Sequence, residues 1–428
     1  MGCEERYLVL AILMAISVQA CAHRFLISYA QGDSPFSDFK LALGLNEVQF
    51  SILSGPGFSF LFVISSIFMG YFSDRTDRKK LLLICSSLFS LTTLASAYVS
   101  SFWEVLILRL ALGVFTSSID LIGVSVTSEI FPERQRNMAM AVYGFGIYIG
   151  VSLSTLSLGL SNLLGWRTTF SLFGVVGLLN SLCLLFVSFP KAEGKAKKEV
   201  KNKPGLVGFF KESIAFCLGS QIMKYLLFAC TVRVCAGYLI GLYFVNYVSA
   251  AFPDQKHTFA VAQAAITACA GITSTFMGGK ISTWLETEKG FTEAKAMVPA
   301  IGVLIALPFE IYAWAVSENF TVMLIMNGIG FLASECWGGP FNSIFVEVVP
   351  AERKASLMAI NAFLCTVIAN VWIMVFGKVL DMNETNSAAF IGKALSLFVG
   401  VFYVGSFLSF WKVGQCYREK KVKEQRQD

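Results

Sequence analysis

The stretch GYFSDRTDRKK, residues 70–80, crowds Asp74, Arg75, Asp77, Arg78, Lys79 and Lys80 into one short segment. An apolar run from Phe58 to Met69 precedes it, and another from Leu81 to Leu91 follows. Charge of this density is very unfavourable in hydrocarbon and stable in water. The pattern therefore reads as a turn at a membrane surface between two spanning helices, its basic excess holding the loop on the cytoplasmic side.

The rest of the chain agrees. Apolar residues make up 55% of the 428 and charged residues 14%, against about 25% charged in a soluble domain. A helix of about twenty apolar residues crosses a bilayer core. Such runs fall near 7–29, 47–72, 81–100, 104–128, 138–161, 168–189, 218–249, 258–284, 296–316, 321–346, 355–380 and 388–411, which predicts twelve spans. Basic residues gather in the 2–3 loop, in the 4–5 loop with Arg134 and Arg136, in KAEGKAKKEVKNKPG (191–205), and in the tail REKKVKEQRQD (418–428). With twelve spans all four lie on one side, so both termini are expected in the cytoplasm. The glycosylation sequons at Asn319 and Asn383 fall on the opposite side. The domain reading is a six-helix bundle over 1–190, a cytoplasmic linker over 191–215 with a short surface helix at LVGFFKES, and a second six-helix bundle with a basic tail over 216–428.

The halves repeat each other. Gly70-Tyr-Phe-Ser73 resembles Gly279-Lys-Ile-Ser282 at an offset of 279 − 70 = 209, and the same offset carries Arg24 onto Arg233. EIFPERQR (129–136) matches EVVPAERK (347–354) at 347 − 129 = 218. Parallel six-span repeats point to a transporter with its substrate site between the halves. The fold class expected is an all-α membrane protein, two six-helix bundles related by a pseudo-two-fold axis.

At this point the sequence resembles the major facilitator superfamily over essentially its whole length. The 2–3 loop is similar to that family's signature through Gly70, Asp74, Arg75, Arg78 and Lys79, with Asp77 where a second glycine is usual. Arg109 and Gly113 resemble its R-x-x-x-G pattern in span 4. CAHRFLISYA (21–30) and GIGFLASECWGGPFNSIFVEVVPAER (328–353) look most like the spinster-like branch, which includes lysophospholipid and sphingolipid exporters. His23 stands where that branch has an acidic residue, and Thr116 lies near its usual span 4 glutamate, so the branch's proton-coupling carboxylates are absent at those positions. The paired arginines also resemble the organophosphate–phosphate antiporters.

Ionisable groups inside spans usually face a cavity or a partner. Arg24 and Arg233, at equivalent places in spans 1 and 7, are candidates for a guanidinium clamp on a phosphate or carboxylate, or for structural pairing with acids. Gln19 and His23 share a neighbouring face of span 1. His23, Asp120 and Glu335 are candidate proton carriers, and His23, Gln19, Glu335, Trp337 and Tyr238 candidate substrate contacts. Gly338, Gly339 and Pro340 are expected to break span 10 just after Glu335. Glu310 is expected near the outer end of span 9. Gating is assigned to Gly70, Asp74, Arg75, Arg78, Glu129, Arg136, Glu347 and Arg353, with the latch mainly in the N-terminal half because Thr283 stands where Asp74 does.

No phosphate-binding G-x-x-x-x-G-K-[ST] loop and no nucleophile–His–acid arrangement is present, which argues against an enzyme. The eleven cysteines include no CxxC pair and read as small buried hydrophobes, and two histidines leave no metal centre. MGCEER makes Gly2 and Cys3 acylation candidates, with Arg6 where Ser or Thr is usual. No cofactor and no nucleic acid are expected. The expected partners are a small-molecule or lipid-like substrate and membrane lipid, and the chain is expected to be a monomer in the plasma membrane or an organelle membrane. The reading that fits best is a secondary transporter of a small or amphipathic organic anion. The alternatives are a non-transporting receptor or scaffold on the same fold, and a proton-coupled carrier of a neutral solute such as a sugar.

Overall fold

The computed structural model describes residues 3–32, 34–73, 76–187, 189, 215–349, 354–382 and 387–425. The linker expected over 191–215 thus lies almost wholly outside the described residues. Among those residues, twelve helical segments are long and apolar enough to cross a membrane. Helices are the form such spans must take, because hydrocarbon offers no partner for an open backbone group.

The chain divides into two compact units, one of residues 1–201, 252–268 and 373–385, the other of 202–251, 269–372 and 386–428. The first contains α1 (Cys3–Tyr29), α2 (Phe39–Ala42), α3 (Glu47–Ser54), α4 (Pro56–Ser73), α5 (Arg78–Ala95), α6 (Phe102–Thr116), α7 (Ile119–Ile130), α8 (Glu133–Leu164) and α9 (Trp166–Leu182). The second contains α10 (Gln221–Ala251), α12 (Ala294–Ile311), α13 (Phe320–Ser334), α14 (Gly338–Val348) and α16 (Ala388–Gln425). The boundary passes through α11 (Lys256–Thr287) and α15 (Lys354–Asp381).

Local chemistry explains where helices start. Asp77 is the N-cap of α5, its carboxylate accepting from the N–H groups of Lys79 and Lys80. The residue that departs from the glycine of the family signature therefore has a helix-capping role of its own. Asn46 and Gln49 form a capping box on α3, and Ser101 caps α6. Gly165, at φ +85°, joins α8 to α9 in a left-handed turn that a side chain would strain.

Several spans are interrupted at depth. Span 2 is α3 and α4, separated at Gly55, with Pro56 at the first helical position where its missing N–H costs nothing. Span 4 breaks at Ser117 and Ser118, whose hydroxyls donate back to the carbonyls of Val114 (2.7 Å) and Phe115 (3.3 Å). Span 10 breaks at a short 3₁₀ turn, Glu335–Trp337. This is the break expected from Gly338, Gly339 and Pro340, but those residues open α14 instead of interrupting a helix, and Pro340 lies in its first turn. Span 9 carries Pro299 and Pro308 and ends in one π-helical turn, Tyr312–Val316.

In the first unit α1 packs on α8, α4 on α6 and α5 on α9; in the second α10 and α12 both pack on α16. The α4–α6 approach depends on Gly113, where a Cβ would lie 2.2 Å from the Phe58 carbonyl oxygen. Gly113→Ala is expected to destabilise the protein by about 1–3 kcal/mol, as overpacking against backbone does. A melting temperature in detergent matching wild type would refute this. Large apolar side chains such as Phe60, Phe68, Trp103 and Ile107 stay exposed on the outside, which suits a lipid surroundings.

Candidate functional site

In the first unit the membrane-embedded polar residues sort into two kinds. Gln19 is buried, donating to Ser90 Oγ (2.8 Å) on α5 and accepting from Asn180 Nδ2 (2.8 Å) on α9. His23 is buried too. Its Nε2 lies 3.1 Å from the Phe173 carbonyl, which only accepts, so Nε2 carries the hydrogen. Its Nδ1 lies 2.8 Å from Thr93 Oγ1, and the ring stands edge-on to Phe89. These two residues tie α1 to α5 and α9 inside the bundle.

Arg109, also buried, is a backbone clamp. Its Nε donates to the Leu53 carbonyl (3.0 Å), Nη2 to that of Arg24 (3.0 Å) and Nη1 to that of His23 (3.5 Å). It joins the last third of α1 to the end of α3, beside the interruption of span 2.

Arg24 differs. It is only half-buried, and its guanidinium lies over the rings of Phe58 (4.9 Å), Phe25 (5.3 Å) and Phe62 (6.0 Å). Asp120, exposed in the first turn of α7, acts on its charge electrostatically. The Asp120 carboxylate itself accepts from Tyr143 Oη (3.0 Å) and Ser17 Oγ (3.3 Å). Gly123 makes that reach possible, since a Cβ there would lie 2.3 Å from the Tyr143 hydroxyl.

In the second unit Arg233, 2% exposed, donates to Glu335 Oε1 (2.6 Å) and to the Ser334 carbonyl from Nε (3.3 Å) and Nη2 (3.2 Å). Its guanidinium lies 5.3 Å from the Tyr403 ring and 6.0 Å from the Trp337 ring. Trp337 and Tyr238 are half-buried, the former edge-on to Phe341. Glu310 belongs to the same cluster: it is 2% exposed, accepts from Tyr403 Oη (3.1 Å), and shares the electrostatic field of Arg233 and Glu335. Glu310, expected near the outer end of span 9, is the penultimate residue of α12, just before the π-helical turn that ends that span. Hydropathy reports span length and leaves helix depth and rotation open.

Of the gating candidates, Arg78 Nη1 pairs with Glu129 Oε1 at 2.7 Å, between the start of α5 and the end of α7. Gly70 lies in α4. Asp74, Arg75, Arg353 and Asn383, and the side chain of Arg136, lie outside the described residues. Asn319 is exposed and caps α13. Glu347 pairs with Lys295 (2.5 Å), which also holds Glu286 (2.6 Å), and Tyr417 donates to Glu347. The C-terminal half thus has an ion cluster of its own, while Asp74, on which the N-terminal latch was placed, lies outside the described residues. The signal was present in the repeat: 295 − 78 = 217, one less than the 218 that relates Glu129 to Glu347. On the first unit's opposite rim, Asp381 accepts from the N–H groups of Glu47 (3.0 Å) and Val48 (3.1 Å), capping α3, while Lys40 pairs with Glu47.

Twelve membrane-length helices with ionised groups sequestered in both units define an integral multi-pass membrane protein. The Major Facilitator Superfamily model matches residues 16–371, and the chain belongs to that family. It is a membrane transporter and not an enzyme. The probable L-galactonate transporter of Escherichia coli (strain K12) is 23% identical over 82% of this chain and 78% of its own length. Protein spinster homolog 1 of Xenopus laevis is 23% identical over 82% of this chain and 69% of its own. Among solved structures, a bacterial homolog to the human lysosomal transporter Spinster, inward-facing and unoccupied, aligns with a TM-score of 0.77 at 18% identity over 98% of both chains. A mutant of the nucleoside transporter NupG aligns with a TM-score of 0.71 at 13% identity, covering 95% of this chain and 98% of that one. At these identities the structures share the fold.

Proposed function

We propose that the protein is a secondary active transporter that moves an organic anion, bearing a phosphate or carboxylate, by alternating access, with Arg24 as the substrate's cationic contact and both termini in the cytoplasm. The observation that carries this reading is the setting of Arg24. Arg109 is engaged by backbone carbonyls and Arg233 by Glu335 and Ser334. Arg24 lies with its guanidinium over phenyl rings, half-buried in span 1. A guanidinium attracted to ring faces in this way can still offer N–H groups to a carboxylate or phosphate bidentately. The same rings offer an apolar surface to the rest of an amphipathic anion. The relative named for L-galactonate, a sugar acid, supports a carboxylate.

The test is flux in proteoliposomes across sugar acids, sugar phosphates, lysophospholipids and, as uncharged controls, nucleosides and sugars. Arg24→Gln is expected to lower flux of the transported anion about 100-fold, the loss of a charge-assisted contact, and Arg24→Lys to restore part of it. Undiminished anion flux in Arg24→Gln, or flux of uncharged solutes alone, would overturn the reading. Binding without flux would favour a receptor on the same fold.

A further inference from the structure

We propose that Arg233, Glu335 and Glu310 form a one-proton site in the second unit, with the proton carried on Glu310. The idea deepens the transporter reading by naming the coupled ion as the proton, and rests on that reading only for its place in the cycle.

The first support is a charge count. One guanidinium faces two carboxylates at membrane depth. Arg233 and Glu335 neutralise each other at 2.6 Å. A second carboxylate, ionised and 2% exposed, would leave one negative charge uncompensated in a medium that tolerates it poorly. One proton on Glu310 makes the cluster neutral.

The second support is hydrogen bonding. Glu310 Oε1 accepts from Tyr403 Oη at 3.1 Å, while Oε2 is buried and has no hydrogen-bond partner among the described residues. The charged and titratable groups that face Glu310 are Arg233 from α10, Tyr403 from α16 and Glu335 from the turn after α13. Arg233 is held elsewhere, by Glu335 and by the Ser334 carbonyl.

Third, the surroundings are shaped around this side chain. Gly330 on α13 leaves its space, since a Cβ there would lie 2.6 Å from Glu310 Cγ. Glu310 sits between Pro308 and the π-helical turn at Tyr312–Val316, a stretch where the regular helix is interrupted twice.

Proton movement follows from exchange of Arg233 between two acceptors. While Arg233 is on Glu335, Glu310 holds its proton. When Glu335 is drawn away, the guanidinium is left to Glu310. The Glu310 O–H bond then breaks, the electron pair stays on the carboxylate and the proton passes to water. Reversal reloads it. Tyr403, its ring on Arg233 and its hydroxyl on Glu310, touches both partners of that exchange.

The direct test is infrared spectroscopy of the purified protein in lipid at neutral pH. A deuterium-sensitive carbonyl band of a protonated buried carboxylic acid is expected in wild type, lost in Glu310→Gln, lost also in Glu335→Gln, where Arg233 is left to an ionised Glu310, and shifted in Tyr403→Phe. A band unchanged in Glu310→Gln would overturn the proposal, as would a band of full intensity in Glu335→Gln. For whichever solute the wild type moves, Glu310→Gln is expected to lose at least tenfold of pH-gradient-driven accumulation. Full gradient-driven accumulation in Glu310→Gln would also overturn it. If Arg24 proves irrelevant to transport, the infrared result still stands alone, so the two readings fail separately.

Discussion

Arg109→Leu is expected to cost the folded protein about 3 kcal/mol, one of the two largest single-residue losses in the molecule. Arg109 donates to three backbone carbonyls from a site 5% exposed. Those of His23 and Arg24 already belong to the α1 helix ladder. That of Leu53 lies in the last turn of α3, where the ladder supplies no N–H. Leucine removes the charge-assisted bonds and orphans the Leu53 oxygen at membrane depth, about 1–3 kcal/mol for the orphaned group alone. Lysine should recover less than half, because a compact ammonium cannot span three carbonyls as the guanidinium fork does. Denaturant or thermal unfolding in detergent would decide it, and a leucine variant within about 1 kcal/mol of wild type would show that the clamp contributes little.

The Arg233–Glu335 pair should give the second large effect. Arg233→Leu leaves Glu335 without its guanidinium, and loss of one member of a buried pair costs about 3–5 kcal/mol. The double variant Arg233→Leu/Glu335→Leu should be less destabilised than Arg233→Leu alone, since no isolated charge remains. Glu335→Gln should cost less than Arg233→Leu, because the guanidinium keeps the Ser334 carbonyl and has Glu310 in its field. A double-mutant cycle on melting temperature reads this coupling. Equal losses in Arg233→Leu and in the double variant would mean that the pair is no more than two independent contacts.

Particular residues show how far sequence reasoning reached. The spans were legible because hydrocarbon imposes both length and apolarity: the run expected at 81–100 appears as Arg78–Tyr98, and that at 296–316 as Ala294–Val316. Arg78 and Glu129 were legible as gating candidates because both border charged turns at span ends, and the fold adds that they pair at 2.7 Å. The break in span 10 was legible from glycine and proline, but the break in span 4 was not, since serines satisfy carbonyls without announcing a kink. His23 looked like a proton carrier by residue type. Its partners are Thr93 and Phe173, separated from it by 70 and 150 residues, and no local pattern reveals such pairs. Lys295 was hidden in the repeat until its partner Glu347 was placed beside it.

What the sequence determined by itself is therefore whatever a one-dimensional pattern must satisfy against solvent: twelve apolar helices, charged turns at their ends, and membership of a helical transporter family. The tertiary structure decided what each embedded charge lies against. Arg24, Arg109 and Arg233 read alike in sequence. In the folded protein one lies on aromatic rings, one clamps backbone and one is ion-paired. The reason is rotational: hydropathy is a sum along the helix axis, whereas a guanidinium's partner depends on the direction it points and on which distant helix lies there.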